Sequence, residues 1–489
     1  MRRSRLRFTA AFLALGLLAA ACGEDREDEA AVTDTTESAE STETTAAPEG
    51  EGGESTETTA APEAEGETFG ELAWPCGPAE DGAELGDSDV GVTADTIKIA
   101  TGDDAGYSAS PGLNEQITDA VEAMAAKCNE LGGINGRMIE VGYYDAAILN
   151  VANAMTQACE DGNFMLVGQG WSLDSAQEET RLACGLSSVP TYSVSAAFAH
   201  APLMAQPLPN PADRLPTSIA AHMAQLFPEE ITASATMYGN YSATIESTDK
   251  VKAAYPDYGF EFVADLEYNI SGEDDWTPFA LQLRDAGAQF LYFSGSCIPN
   301  FQAFMQTAAV NGLELITQTD ANFYEQKCAE ANTDGAMDNL HVRMAFIPFE
   351  ERDAVKAVDD YLTIVEGSGG KVSMLGMQAT SSFLLWATAA DACGADLTRD
   401  CVIEQIKTIT EWTGGGLHAP GNPAENLPPS CGMVLKLVGT EYSRVYPEEP
   451  GTFDCDDTYV VEVQTQWVDQ AQLDENRVSQ TFASAIPAS

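Results

Sequence analysis

The stretch from Gly91 to Asp145 constrains this chain most, because it reads as one strand, one helix and a second strand around Leu131-Gly132-Gly133-Ile134-Asn135-Gly136-Arg137. Apolar residues alternate along Thr96-Ile97-Lys98-Ile99-Ala100, as in a strand with one buried face. In the next segment Leu113, Ile117, Val121, Met124, Cys128 and Leu131 recur at steps of three and four, the apolar face of a helix. Gly132-Gly133 supplies the left-handed backbone of a helix C-terminus, and Asn135-Gly136 a tight turn into a strand over Met138 to Tyr144. A strand, a helix and a strand within about 50 residues make a right-handed parallel crossover.

The unit repeats. Leu149 to Cys159 reads as a helix and Phe164 to Gly168 as a short buried strand, followed by the loop Gln169 to Gln177. That loop lies between a strand's C-terminal end and a helix start, where open parallel sheets bind ligands. Asp174 and Gln177 are spaced as a capping box, so an ordinary capped loop is the alternative reading. Val189 to Tyr192 is another strand, a Pro-rich run extends from Pro202 to Pro216, and a helix from Thr217 to Phe227 closes the half. Strands at Ile231–Tyr238, Phe260–Leu266, Gln289–Phe293 and Leu315–Thr319 then alternate with helices at Ala243–Ala254, Trp276–Ala286 and Asn300–Asn311. Helices follow at Glu351–Val365, Met374–Ala392 and Thr398–Thr410, and two strands at Met433–Val438 and Tyr459–Val463 are joined by a Pro- and Gly-rich loop. Two runs of alternating strand and helix imply two similar α/β lobes.

The front end stands apart. Arg2, Arg3, Arg5 and Arg7 precede an apolar run from Ala10 to Leu18, and Ala19-Ala20-Ala21 leads into Cys22, the pattern of an export signal. Small residues before a cysteine resemble a bacterial lipobox, which makes Cys22 the expected lipidated mature N-terminus; a plain secretory signal is the alternative. The expected organisation is a signal peptide at 1–21, an acidic disordered tether at 22–73, a first lobe at 74–227, a second at 228–345, a return to the first at 346–425, and an extension of the second with a tail at 426–489. The tether carries two near-copies of Glu-Ser-Thr-Glu-Thr-Thr-Ala-Ala-Pro, and its mutually repelling carboxylates extend it.

The formal charge of −54 excludes nucleic acid as a partner. Of 11 cysteines, those other than Cys22 form an even set, which outside the cell implies disulfides. Sequence proximity favours Cys393 with Cys401 and Cys431 with Cys455, then Cys159 with Cys184 and Cys297 with Cys328, leaving Cys76 for Cys128; connectivity stays open at this point. No Cys-x-x-Cys occurs, and His200, His222, His341 and His418 stand at no ligand spacing, so neither a metal nor a cofactor is expected. With no Gly-x-Ser-x-Gly, Gly-x-x-x-x-Gly-Lys or His-Glu-x-x-His, the expectation is a protein that is not an enzyme.

From about Val90 to Val463 the chain resembles the bacterial extracellular solute-binding proteins of ABC importers, of the branched-chain amino-acid binding type. The resemblance rests on Gly91-Val92-Thr93-Ala94-Asp95-Thr96-Ile97-Lys98-Ile99, on Asn129 to Arg137 with its Gly-Gly-Ile-Asn-Gly-Arg string, on Val141 to Asp145, and on the strand and loop Leu166 to Ser172. It implies a type I periplasmic binding fold, two Rossmann-like lobes joined by three crossovers and closing on a small solute. Carried over position by position, it implies ligand contacts at Trp171, Ser172, Ser193, Ser195, Ala197 and Tyr241, and further at Ser296, Asp320, Asn322 and Phe323. Ser172 and Ser195 are expected to donate to a carboxylate, Asp320 to accept from an ammonium, and Trp171, Tyr241 and Phe323 to form apolar walls. The resemblance further implies a monomer anchored by lipid on the outer face of the cytoplasmic membrane, delivering an amino acid or related amine or amide to a membrane permease. A solute-sensing receptor of the same fold is the alternative, and since no apolar run after Val463 could span a membrane it would signal through a separate protein.

Overall fold

The computed structural model describes residues 67–487 apart from residue 109. The expected signal segment, Cys22 and the acidic segment up to residue 66 lie outside the described residues. The first sheet is wholly parallel and contains β1 (Thr96–Thr101), β2 (Met138–Tyr143), β3 (Met165–Val167) and β4 (Ser187–Val189), in the order β2-β1-β3-β4. Between β1 and β2 runs α1 (Gln116–Glu130), which buries Ile117, Val121, Met124 and Cys128, the face that the sequence spacing marks out. Its end is built as the glycines require: Gly132, Gly133 and Gly136 all have positive φ, and a Cβ on Gly133 would lie 2.1 Å from the Arg137 carbonyl oxygen. Arg137 is fully buried and donates to the carbonyls of Thr93, Gly394 and Ala395 at 2.9–3.1 Å, which fastens this turn to a distant part of the chain.

The second sheet repeats the winding. Its parallel strands are β5 (Ser234–Gly239), β6 (Phe262–Tyr268), β7 (Phe290–Ser294), β8 (Ile316–Thr319) and β9 (Leu340–Met344), followed by antiparallel β10 (Cys431–Val438) and β11 (Glu441–Tyr446) in the order β11-β10-β9-β8-β7-β5-β6. Leaving aside the hairpin, the two sheets share one order, with the first two strands exchanged, so each has a reversal point where ligands bind beyond the strand ends. After α2 (Val151–Glu160) in the first lobe come α3 (Ser218–Leu226), α4 (Ser242–Ala254), α5 (Thr277–Ala286) and α6 (Gln302–Val310) around the second sheet. The chain then returns to the first lobe with α7 (Lys356–Gly367), α8 (Met374–Cys393) and α9 (Arg399–Ile406), α7 and α8 packing on α1. Most side chains of α8 are buried, and two of its serines are used internally: Ser382 donates to the Pro190 carbonyl at 2.8 Å, and Ser381 accepts from Trp412 at 2.9 Å.

Several expectations need correction. Residues 68–73, read as tether, form a hairpin whose Phe69 is fully buried, and Gly70 donates its amide to Asp360 at 2.7 Å. The helix α3, read as closing the first lobe, packs on β10 and in the second lobe's apolar cluster with Phe260, Phe290 and Tyr292; its apolar face fits either lobe, and packing decides. The strand after β10 is Glu441–Tyr446, reached through Gly439 at φ 57°, whereas Val460–Glu462 pairs with Arg214–Pro216 in the first crossover. The tail then passes back toward the first lobe. Val463 packs in the second lobe's cluster, while Trp467, Val468 and Leu473 lie against Ala196 and Ala212, and Arg477 forms a two-pronged pair with Asp213 at 2.6 and 2.8 Å. The two lobes are thus linked four times by the backbone, once more than the resemblance implies.

The cysteines pair as Cys76–Cys128, Cys159–Cys184, Cys297–Cys328, Cys393–Cys401 and Cys431–Cys455, the set that proximity favoured.

Candidate functional site

The C-terminal ends of both parallel sheets face a common interface, whose second-lobe side is α4. Parallel strands leave their loops at these ends, so polar residues that follow a strand collect here. After β1 come Asp103 and Asp104, after β3 Ser172, after β4 Tyr192, and after β5 Tyr241. Asp104 accepts the amides of Ile148 at 2.7 Å and Ser172 at 2.8 Å, while Asp103 accepts from Thr118 and Tyr143, both at 2.8 Å. Burial pushes both carboxyls up, Asp103 to about 6. The Tyr241 hydroxyl donates to the Ser172 carbonyl, joining the lobes directly.

Farther along α4 the contacts continue. Glu246 accepts the Ala196 amide at 2.8 Å, and Lys250 donates to the Pro211 carbonyl at 2.9 Å and to Asn210 at 3.2 Å. Asp174 accepts the amides of Val194 and Ser195 at 2.7 and 3.2 Å, holding the loop that meets α4. Burial raises Glu246 and Asp174 each to about 7 and, with the Arg343 charge, lowers Lys250 to about 8. At the C-terminal ends of β8 and β9, Asp320 accepts from Tyr292 at 2.7 Å, from Ser247 of α4 at 3.3 Å, and from Arg343 Nε at 3.2 Å.

The structure brings together some of the expected ligand residues and commits others elsewhere. Ser172 and Tyr241 meet across the interface. Ser193 is fully buried with its hydroxyl on Gln206 at 2.6 Å, and Ser195 caps the short helix containing Ala197 by accepting the Phe198 amide at 3.3 Å. Trp171 is 1% exposed in the first lobe's core and donates to the Tyr144 carbonyl at 3.2 Å; Phe323, also 1% exposed, packs among Phe293 and Phe301. The resemblance implies both as walls, but apolar surface that can reach a core goes there. Ser296 and Asn322 remain on the second lobe's rim, Ser296 accepting from Asn300 at 3.3 Å and Asn322 donating to the Gly295 carbonyl at 3.0 Å. Asp320 is occupied by Arg343, and its partner cation went unread. Asp174 does not form the expected capping box, because its carboxylate turns to the Val194–Ser195 loop.

Asp103, Asp104 and Tyr192 were legible by the same strand-end rule that marked the loop holding Ser172. Glu246 and Lys250 were not: one helical turn apart, they look like a solvated face.

A family model described as periplasmic binding protein matches residues 96–433. No curated protein matches the chain. Among solved structures, a leucine-, isoleucine-, valine-, threonine- and alanine-binding protein from Brucella ovis in a closed conformation is 18% identical, with 72% of this chain and 94% of that one covered and a TM-score of 0.59. A fatty acid ABC transporter substrate-binding protein from Thermomonospora curvata is 16% identical over 77% of this chain and 100% of that one, TM-score 0.60. A solute-binding protein of an ABC transporter from R. palustris in complex with benzoate is 14% identical over 74% and 98%, TM-score 0.60. At these identities the likeness is one of fold, the type I periplasmic binding fold.

Proposed function

The chain belongs to the periplasmic binding protein family, and on that footing we propose that it captures a small polar solute between its lobes and presents it to the permease of an ABC importer. The observation that carries this reading is the hydrogen bond from Tyr241 to the Ser172 carbonyl, which spans the two lobes where both sheets' strand ends meet. Groups that touch only when the lobes approach stabilise the closed state selectively, and a solute contacted from both sides adds to that preference. A polar solute suits the groups that the strand ends bring together, Asp104, Tyr192 and Tyr241 in the loops and Arg343 at the end of β9. An amino acid or a related amine or amide fits those groups. The leucine, fatty-acid and benzoate binders of similar fold are named for molecules that carry a carboxylate. Export and a lipid on Cys22 complete the reading, since a capture protein must stay beside its permease.

The test is a thermal-shift and scattering screen of the purified full chain against amino acids, amides, polyamines and short peptides. A melting temperature that climbs with solute concentration, together with a smaller radius of gyration, is expected. Silence on both readouts across the panel would count against capture by this site.

A further inference from the structure

We propose that Arg343 is a carboxylate anchor, so that the solute binds this interface through an anionic group held by the second lobe. The inference rests on the capture reading above and reverses the polarity that the sequence implies for the same spot. Asp320 there was expected to receive an ammonium, yet both its oxygens are in use: one accepts Arg343 Nε at 3.2 Å, the other accepts the Tyr292 hydroxyl at 2.7 Å and the Ser247 hydroxyl at 3.3 Å. Arg343 is the opposite case. Nε is its single bonded nitrogen among the described residues, and the side chain keeps 30% of its surface open. The two terminal nitrogens, which form the fork that matches a carboxylate, have no protein acceptor there.

A second cation, Lys250, lies near Arg343. Lys250 is 8% exposed and spends its ammonium on neutral acceptors, Asn210 and the Pro211 carbonyl. Asp213, the acid nearest in sequence to those acceptors, is already paired with Arg214 at 3.0 Å and Arg477 at 2.6 Å. Lys250 and Arg343 share this part of the interface with Asp320, whose oxygens are engaged, with Glu246, which burial brings to about 7, and with Asp213, which is held by other cations. Burial first and the Arg343 charge second lower Lys250, against the opposing charges of Asp320, Glu246 and Asp213. The terminal nitrogens of Arg343, left without an acceptor among the described residues beside its Nε–Asp320 pair, are the donors that an incoming carboxylate would satisfy.

The experiment uses the full chain and matched probes of one shape: leucine with leucinamide, benzoate with benzamide, hexanoate with hexanamide, read by thermal shift and calorimetry. At least one carboxylate is expected to bind about tenfold or more tighter than its amide, a comparison that needs no variant. Arg343→Gln is expected to erase that preference and Arg343→Lys to restore part of it, since the charge returns without the fork. Asp320→Asn is expected to leave carboxylate affinity unchanged or tighter, because it frees Arg343 from a competing anion. Binding of amides or amines alone would overturn the anchor while leaving capture standing. A carboxylate preference that survives Arg343→Gln, or a tenfold loss of carboxylate affinity in Asp320→Asn, would also overturn it. Failure of every probe to bind would remove both the anchor and its premise.

Discussion

Lobe closure should respond to pH through Glu246. This residue is 7% exposed, pressed by α4 against the first-lobe loop whose Ala196 amide it accepts, and burial raises it from 4.5 to about 7. One pKa unit is worth about 1.4 kcal/mol; part of the burial comes from the second lobe itself, so roughly 2 kcal/mol is assigned to closure, a factor of about 30 in the closed-to-open ratio. With the closed-state value the higher one, the closed form holds a proton that the open form releases. The contribution to closure is therefore full below the ordinary value of 4.5 and is lost as pH rises through about 7. Glu246→Gln keeps an acceptor for the Ala196 amide and removes the proton. The assay is distance measurement between dyes placed one on each lobe, from about pH 5 to about pH 8, with wild type and variant compared so that Asp174, which titrates in the same range, cancels. Wild type should open with rising pH, and Glu246→Gln should lose most of that slope. Equal slopes in the two proteins would refute the assignment.

Other outcomes follow from the described contacts. Tyr241→Phe removes the bond to the Ser172 carbonyl and should weaken solute binding about fivefold, mostly as faster release seen in stopped-flow kinetics. Arg137→Met should cost about 3 kcal/mol or more by denaturant unfolding, because buried carbonyls of Thr93, Gly394 and Ala395 lose their donor together. The double replacement Cys76→Ser, Cys128→Ser opens a loop of 52 residues and should cost about 4 kcal/mol on chain-entropy grounds, measured by the same unfolding.

Much of the fold was legible because its parallel strands are short, buried and punctuated by glycine. Eight of the nine parallel strands and the helices between them overlap their expected spans, Leu340–Met344 being the one not read, and Gly132, Gly133 and Gly136 adopt the conformations that their sequence context demands. What escaped is where packing rather than local pattern decides. The amphipathic face of α3 says that it is buried, not which sheet buries it, and Glu441–Tyr446 alternates too weakly to be separated from its loop. In the candidate site, the strand-end rule marked the loop that holds Ser172, while Tyr241 and Phe323 came from the resemblance; the rings of Trp171 and Phe323 turn inward. Arg343 was hidden inside a strand, and only the geometry shows that it reaches Asp320.

The extra crossing made by the tail changes what a broken backbone means for this molecule. Glu448 and Glu449 sit in an exposed turn beyond β11, the kind of place where a protease cuts. After such a cut the released segment stays fastened at three independent points: Cys455 bonded to Cys431, Val460–Glu462 zipped to Arg214–Pro216, and Arg477 clasped to Asp213. Denaturant alone leaves the disulfide, and reductant alone leaves the strand pairing and the ion pair. A nicked molecule should therefore migrate as a single species until both agents are applied, so the protein can lose the continuity of its chain without losing its assembled form.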